Sequence, residues 1–132
     1  MAQTGTLSIQ GLQQIAQHAD DLEIAVTFYR DVLGLRFVAM FDPPGLAFFD
    51  VDGTRLLLEK PAQPALLYFR VPDIQAGYEA LKAHGVSFEG EPHMIFKDDA
   101  GQFGPAGEEE WMLFFRDPSN NLLALASREV HP

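Results

Sequence analysis

The sequence predicts an α+β fold that contains two β-α-β-β-β modules in one domain. Two segments about fifty residues apart carry the same order of signals: a short apolar strand, an aspartate able to cap a helix, an amphipathic helix and a terminal glycine. These segments are residues 14–35 and 66–85. Strand-like runs follow each of them, so module one spans about residues 11–60 and module two about residues 65–128. We expect the whole chain, residues 1–132, to form a single domain.

The first helix is predicted from its cap and its periodicity. Asp20 can act as the N-cap, and Glu23 three residues later would complete a capping box. Gly34 can end the helix, because glycine adopts the left-handed conformation without a steric penalty. Apolar side chains recur between these points at helical spacing and predict one buried face: Leu22, Ala25, Val26, Tyr29, Val32 and Leu33.

Three strands are predicted to complete module one. Residues 36–41 and 46–51 have strand composition and are separated by a turn that contains two prolines and a glycine. Residues 54–59 form the return strand after Asp52-Gly53, a dipeptide typical of tight hairpins. Pro61 and Pro64 then separate the two modules.

Module two begins with a strand at 65–71 and a helix at 73–84. A strand at 87–91 is predicted to resume at 93–96, and residues 97–109 are predicted to be a long loop of the kind that is often functional. The acidic triplet 108–110 is interpreted as the solvated end of that loop. The last two strands are predicted at 110–116 and 122–127, joined by the turn 117–121.

The composition excludes several function classes. The net charge is −10, and the nine Lys and Arg residues are scattered, which argues against nucleic-acid binding. No apolar run approaches the roughly 20 residues that span a membrane, so we expect no membrane partner. With no cysteine, a disulfide framework and a cysteine-zinc site are excluded. A polar N-terminus without a signal-like segment makes a cytoplasmic location the expectation.

Three motifs resemble those of the vicinal oxygen chelate superfamily. This superfamily includes glyoxalase I, bleomycin-resistance proteins, extradiol dioxygenases and methylmalonyl-CoA epimerase. The motifs are Asp21-Leu22 with Phe28-Tyr29 and Val32-Leu33-Gly34, the repeat Val71-x-Asp73, and Phe115-Arg-Asp-Pro118 with Asn121. The resemblance implies that the two modules form a curved sheet around a cup, often completed by homodimerisation, so we expect a homodimer.

The resemblance also implies a divalent metal on the cup floor, bound by one residue from each of four strands. The four family positions correspond to Gln14, Glu59, Leu66 and Ala124 in this sequence. Gln and Glu can ligate a metal, whereas Leu and Ala cannot. We therefore expect no cofactor, although a weakly bound divalent metal is possible.

Glu59 is the candidate catalytic residue. Leu57, Leu66 and Ala124 would desolvate it, and desolvation raises the pKa of a carboxyl group toward values useful for a general base. The alternative is that Glu59 forms an ion pair with an arginine or is exposed at a strand end. Strand alternation and proximity to the cup give the candidate ligand-binding residues: Gln14, His18, Arg55, Tyr68, Arg70, His93 and Trp111.

These candidates have different expected roles. Tyr68 and Arg70 could hold an anionic or carbonyl group, since a guanidinium supplies paired donors. His18 could shuttle protons or bind substrate, or could simply lie at a strand end. His93 could reach the mouth of the cup. Trp111 could stack on an aromatic ligand, or could belong to the core.

Two function classes follow. The first is a small-molecule-binding protein with a metal-free cup, similar to the bleomycin-resistance members of the superfamily. The acidic charge would suit a cationic ligand, but Arg55 and Arg70 near the cup disfavour one. The second is an isomerase, epimerase or lyase that uses Glu59 as base, with Gln14 and a weakly held metal polarising a carbonyl group.

Overall fold

The computed structural model describes residues 7–130 and contains eight strands and two α-helices. Module one comprises β1 (Gln14–His18), α1 (Leu22–Thr27, continued by a π-helical turn at Phe28–Val32), β2 (Arg36–Phe41), β3 (Leu46–Val51) and β4 (Thr54–Glu59). Module two comprises β5 (Leu67–Arg70), α2 (Ile74–Ala83), β6 (His93–Asp98), β7 (Glu108–Arg116) and β8 (Leu122–Glu129). No helix within residues 7–130 is long and apolar enough to cross a membrane.

Each module forms its own four-stranded mixed sheet. The strand order is β1-β4-β3-β2 in module one and β5-β8-β7-β6 in module two. In both sheets the first strand of the module runs parallel to its last strand, and the other pairs are antiparallel. The predicted α+β fold with two β-α-β-β-β modules is confirmed.

The helices begin and end where local side chains stabilise their termini, with one difference from the prediction. The N-cap of α1 is Asp21, whose carboxylate accepts a hydrogen bond from the amide of Ile24 at 3.1 Å, so the prediction of Asp20 was wrong. Because the cap is one residue later, Glu23 is not in position to close a capping box. Asp20 instead pairs with His18 at 2.7 Å. Gly34 ends the helical segment at φ +73°, as predicted.

The second half of module two differs more from the prediction. Residues 87–91 do not form the predicted strand. Phe88 alone forms an isolated β-bridge there, with Phe115. The long loop is shorter than predicted, because β6 extends to Asp98 and β7 starts at Glu108. Cross-strand pairing extends this hairpin through charged residues whose composition resembles that of a loop. The interpretation of residues 108–110 as a solvated loop end was therefore wrong.

A buried glutamine joins the two sheets. The side chain of Gln17 on β1 is fully buried, and its amide group donates to the carbonyl of Ala65 at 2.7 Å. Its side-chain oxygen accepts from the amide of Ala65 at 2.8 Å. This pair of bonds satisfies the backbone of the segment that leads into β5, which would otherwise carry unpaired groups. Gln17 therefore fixes the start of module two beside β1.

A second polar contact between the modules is centred on Asp117, in the turn between β7 and β8. The Tyr29 hydroxyl donates to Asp117 Oδ2 at 2.7 Å, and the Asn121 side chain donates to the same oxygen at 2.8 Å. Asn121 also donates to the carbonyl of His18 at 2.7 Å. Burial and the neighbouring carboxylate raise the pKa of Tyr29, so this hydroxyl stays protonated. The network ties the first helical segment to the last hairpin.

We predict that Tyr29→Phe lowers the free energy of unfolding by about 1.5–3 kcal/mol, because it removes a buried hydrogen bond to a charged group. Urea denaturation measures the change. The matched control is Tyr78→Phe in α2, where the half-buried ring packs against Phe88. Equal losses for the two variants would show that the hydroxyl of Tyr29 has no special role.

Candidate functional site

The sheets have one face covered by helices and one open face. In module two, Leu67 and Phe69 of β5 pack against the core, as do Leu123 and Leu125 of β8. Alternation then directs the intervening side chains to the opposite face. The register of β5 and β8 pairs Tyr68 with Ala124 and Arg70 with Ala126 on that open face.

A cavity of about 330 Å³ lies on the open face of module two. Its volume is within the range of small-molecule sites. The wall combines aromatic rings with two guanidinium groups and one carboxylate. The lining residues are Tyr68, Arg70, Phe96, Phe103, Glu110, Ala126, Ser127 and Arg128. We call this space the module-two cavity.

Arg128 is surrounded by three carboxylates at one end of the cavity. Its Nε donates to Glu108 at 2.7 Å, its Nη2 donates to Asp98 at 2.8 Å, and its Nη1 lies 3.7 Å from Glu110. The pKa of Arg128 is raised, first by the hydrogen bond to Glu108 and then by that to Asp98. The positive charge of Arg128 is therefore already compensated by the protein.

The same cluster anchors the loop 99–107, which we call the clasp. The buried carboxylate of Asp98 accepts from the amides of Gln102 at 2.9 Å and Phe103 at 3.0 Å. Arg128 packs so closely on the clasp that a Cβ at Gly104 would lie 2.9 Å from its Nε. The Phe103 ring, 72% exposed, packs edge-on against Phe96 with the centroids 5.8 Å apart. The clasp therefore holds an aromatic ring at the mouth of the cavity.

The predicted site residues of module one do not converge on one point. The register of β1 and β4 pairs Gln14 with Arg55 and His18 with Glu59. Gln14 and Glu59 are therefore four positions apart along the strands, or about 13 Å at the usual rise per residue. This separation does not support joint action of Gln14 and Glu59 on one ligand or metal, which stays a prediction. Arg55 Nε donates to Gln14 Oε1 at 2.7 Å, and the guanidinium lies over the Phe48 ring.

The four family metal positions do not provide a metal-binding set. The side-chain oxygen of Gln14 already accepts from a cation, and Leu66 and Ala124 have no ligating atom. Glu59 is separated from Gln14 along the strands. No group of three or more His, Asp or Glu side chains within residues 7–130 is arranged to hold a metal ion. The residues present do not fit the divalent metal that the family resemblance implies.

The remaining candidates have structural partners. Both ring nitrogens of His18 are engaged, with the carbonyl of Lys60 at 2.7 Å and with Asp20 at 2.7 Å. The hydrogen bond to Asp20 is the main cause that raises the pKa of His18, which favours a fixed imidazolium over a proton shuttle. His93 contacts the carbonyl of Glu91 and stands near the Phe114 ring. Trp111 packs against the core, which agrees with the second of its two expected roles.

Arg70 differs from the other arginines near the site. It is exposed on the open face, and within the part of the chain that the structure describes it forms no ion pair. Tyr68 lies on the same face of the same strand. These two are the predicted residues that the structure brings into the cavity. The other polar residues of its wall, Glu110, Ser127 and Arg128, were missed. Glu110 lies in the acidic run 108–110 that resembles a loop end, and Arg128 lies beyond the predicted end of the last strand at 127.

Comparisons with known proteins agree with this architecture. The family model described as Glyoxalase/Bleomycin resistance protein/Dioxygenase superfamily matches residues 11–125. The uncharacterized protein YraH of Bacillus subtilis (strain 168) is 29% identical over 135 residues, covering 86% of this chain and 95% of that protein.

Two solved structures show the same fold. Lactoylglutathione lyase from Agrobacterium tumefaciens is 24% identical, with 91% of this chain and 95% of that chain covered and a TM-score of 0.67. TnmS3, an antibiotic binding protein from Streptomyces sp. CB03234, is 21% identical, with 93% and 99% covered and a TM-score of 0.68.

The carboxylate that anchors the clasp should make the stability of the folded state depend on pH. Hydrogen bonds from Phe103 and Gln102 and the guanidinium of Arg128 hold the pKa of Asp98 below its usual range. The ionised carboxylate therefore stabilises the folded state fully above about pH 4, the unfolded value, and this stabilisation is lost as pH falls through the lower folded-state pKa. Asp98→Asn should lower stability at pH 7, and the difference from wild type should shrink toward pH 3.

Urea denaturation between pH 3 and pH 7 measures this difference. Asp99→Asn is the control, because Asp99 is exposed and its ion pair with Lys97 is long, at 3.8 Å. A difference between wild type and Asp98→Asn that stays constant with pH would contradict the assignment.

Proposed function

The chain belongs to the glyoxalase/bleomycin resistance protein/dioxygenase superfamily, and on that premise we propose that it is a small-molecule-binding protein whose binding site needs no metal. The site we propose is the module-two cavity. The observation that carries the proposal is a pocket of ligand size, walled by aromatic rings, next to family metal positions that lack a ligating set.

The chemistry of the wall supports binding of a small organic molecule. Tyr68, Phe96 and Phe103 offer apolar faces that gain free energy when a ligand covers them. Arg70 has no carboxylate partner among the described residues and can donate two parallel hydrogen bonds to an anionic or carbonyl group. That TnmS3 is an antibiotic binding protein on the same fold supports a binding role.

We also propose that the protein is a cytoplasmic homodimer. The outer strands of the two sheets, β2 and β6, carry exposed apolar side chains that self-association would cover. These are Phe37, Val38, Met40 and Phe41 on β2, and Met94 and Ile95 on β6.

The cavity proposal is tested by filling the pocket. Ala126→Trp places an indole in the module-two cavity and should abolish binding of compounds found in a thermal-shift screen of chelator-treated protein. Ala80→Trp, on an exposed position of α2, should leave binding unchanged. Binding that persists in Ala126→Trp, or that requires added metal, would contradict the proposal.

A catalytic function is the second candidate: an isomerase, epimerase or lyase that uses Glu59 as base. One observation favours it: the register pairs Glu59 with His18, so the two residues share one face of the sheet at the end of β4.

Glu59→Gln distinguishes the two functions. For a binding protein that uses the module-two cavity, ligand affinity should change less than twofold, because Glu59 is not part of the cavity wall. Isothermal titration with a screened ligand measures the affinity, and a melting curve checks the fold. Loss of a measured turnover at unchanged melting temperature would support the catalytic function instead.

A further inference from the structure

We infer that the module-two cavity selects a bipolar aromatic ligand, one that carries an anionic group at one end of a ring and a cationic or hydrogen-bond-donating group at the other. The inference deepens the proposed binding function and rests on it. It follows from two charged groups that lie apart in the wall of an aromatic pocket. Arg70 forms no ion pair within residues 7–130, and Glu110 makes only a long contact of 3.7 Å with Arg128.

The anionic end is assigned to Arg70. Both arginines of the cavity could attract an anion, but they are in different states. Arg128 has its Nε and Nη2 engaged by carboxylates, and its Nη1, although it has no hydrogen-bond partner within residues 7–130, is buried and so is not accessible to a ligand. Arg70 is exposed and forms no ion pair within residues 7–130, so its donors are available. A ligand carboxylate therefore gains most at Arg70.

The cationic end is assigned to Glu110. Three carboxylates face the single guanidinium of Arg128, which leaves the cluster with excess negative charge. Asp98 and Glu108 make hydrogen bonds of 2.8 Å and 2.7 Å to it, whereas Glu110 remains 3.7 Å from Nη1. Glu110 also lines the cavity, so its oxygens can accept from a ligand donor. An ammonium group there would offset the excess charge.

The strand register sets the distance between the two ends. Arg70 is paired with Ala126 on β8, and Glu110 is paired with Arg128, two residues farther along the same strand. Two strand spacings across and two residues along place the Cα atoms of Arg70 and Glu110 about 12 Å apart. Side chains on strands stand roughly perpendicular to the sheet, so the charged ends of Arg70 and Glu110 stay about as far apart as their Cα atoms. A para-disubstituted benzene with a hydrogen-bonding group at each end can bridge such a distance.

The middle of the cavity suits a ring. Ala126 has a small side chain and leaves space between the two charged groups. Phe96, Phe103 and Tyr68 supply aromatic surface around it, and the clasp fixes Phe103 at the mouth. Aromatic pairs in offset or edge-on geometry add to the burial of apolar area.

Three probes that share a para-disubstituted benzene ring test the inference: 4-(aminomethyl)benzoate, 4-methylbenzoate and 4-methylbenzylamine. Titration calorimetry at low ionic strength should show that the bipolar probe binds at least about tenfold tighter than either singly charged probe, since each charged hydrogen bond contributes on that scale. Equal affinities for the three probes, or no detectable binding of the bipolar probe, would overturn the inference.

Two variants test which residue binds each charged end of the ligand. Arg70→Gln should weaken both carboxylate-containing probes about tenfold and spare 4-methylbenzylamine. Glu110→Gln should weaken both amine-containing probes and spare 4-methylbenzoate. The controls are Arg36→Gln and Glu91→Gln, at exposed positions outside the cavity, and they should change nothing. A variant that weakens all three probes alike would indicate a disturbed clasp and would overturn that assignment.

Different results would contradict the proposed function and this inference. If screened ligands bind wild type but not Ala126→Trp, while the three probes show no preference for opposite charges, the cavity binds small molecules and the bipolar selection is wrong. If binding of every screened ligand survives Ala126→Trp, the cavity itself is the wrong site.

Discussion

The buried hydrogen bonds around Asp117 are the constraint on which the arrangement of the two modules depends. A carboxylate in the turn between β7 and β8 accepts from Tyr29 of the first helical segment and from Asn121, which in turn binds the backbone of β1. A buried carboxylate without these donors would be strongly destabilising, so the turn is held at one place against module one. With Gln17 fixing the entry into β5, the positions of both sheets follow.

The second polar cluster, around Arg128, determines the site rather than the fold. Asp98 and Glu108 bracket the clasp in sequence and meet at one guanidinium in space. The guanidinium of Arg128 therefore holds the clasp at the cavity. Most of its hydrogen-bonding capacity is used by these contacts. As a result, Arg70 and Glu110 are left as the charged groups of the proposed site that can face a ligand. The anchoring of the clasp and the charge pattern of the site thus have one physical origin.

The first family metal position has a different environment from the one that the resemblance implies. A guanidinium, that of Arg55, binds the side chain at the first family position. A fixed positive charge beside a potential ligand opposes the approach of a divalent cation, independently of the two apolar replacements. This arrangement supports a site displaced onto the open face of module two.

The sequence by itself determined the elements that local chemistry specifies. The repeated helix signals, the Asp73 cap, the glycine stop at Gly34 and the hairpin at residues 52–53 all act within a few residues, and the structure contains them. Alternation along β5 was enough to place Tyr68 and Arg70 on the cavity face. Such signals depend on nearest neighbours along the chain, so one sequence is sufficient to interpret them.

Only the tertiary structure decided which distant groups meet. Asp21 rather than Asp20 caps α1, and Asp20 instead binds His18. The separation of Gln14 from Glu59 follows from the register of two strands that are about forty residues apart in the chain. The convergence of Asp98 and Glu108 on Arg128 depends on the β6–β7–β8 pairing. These outcomes are set by strand register and burial between distant parts of the chain. The chemistry of neighbouring residues does not predict either of them.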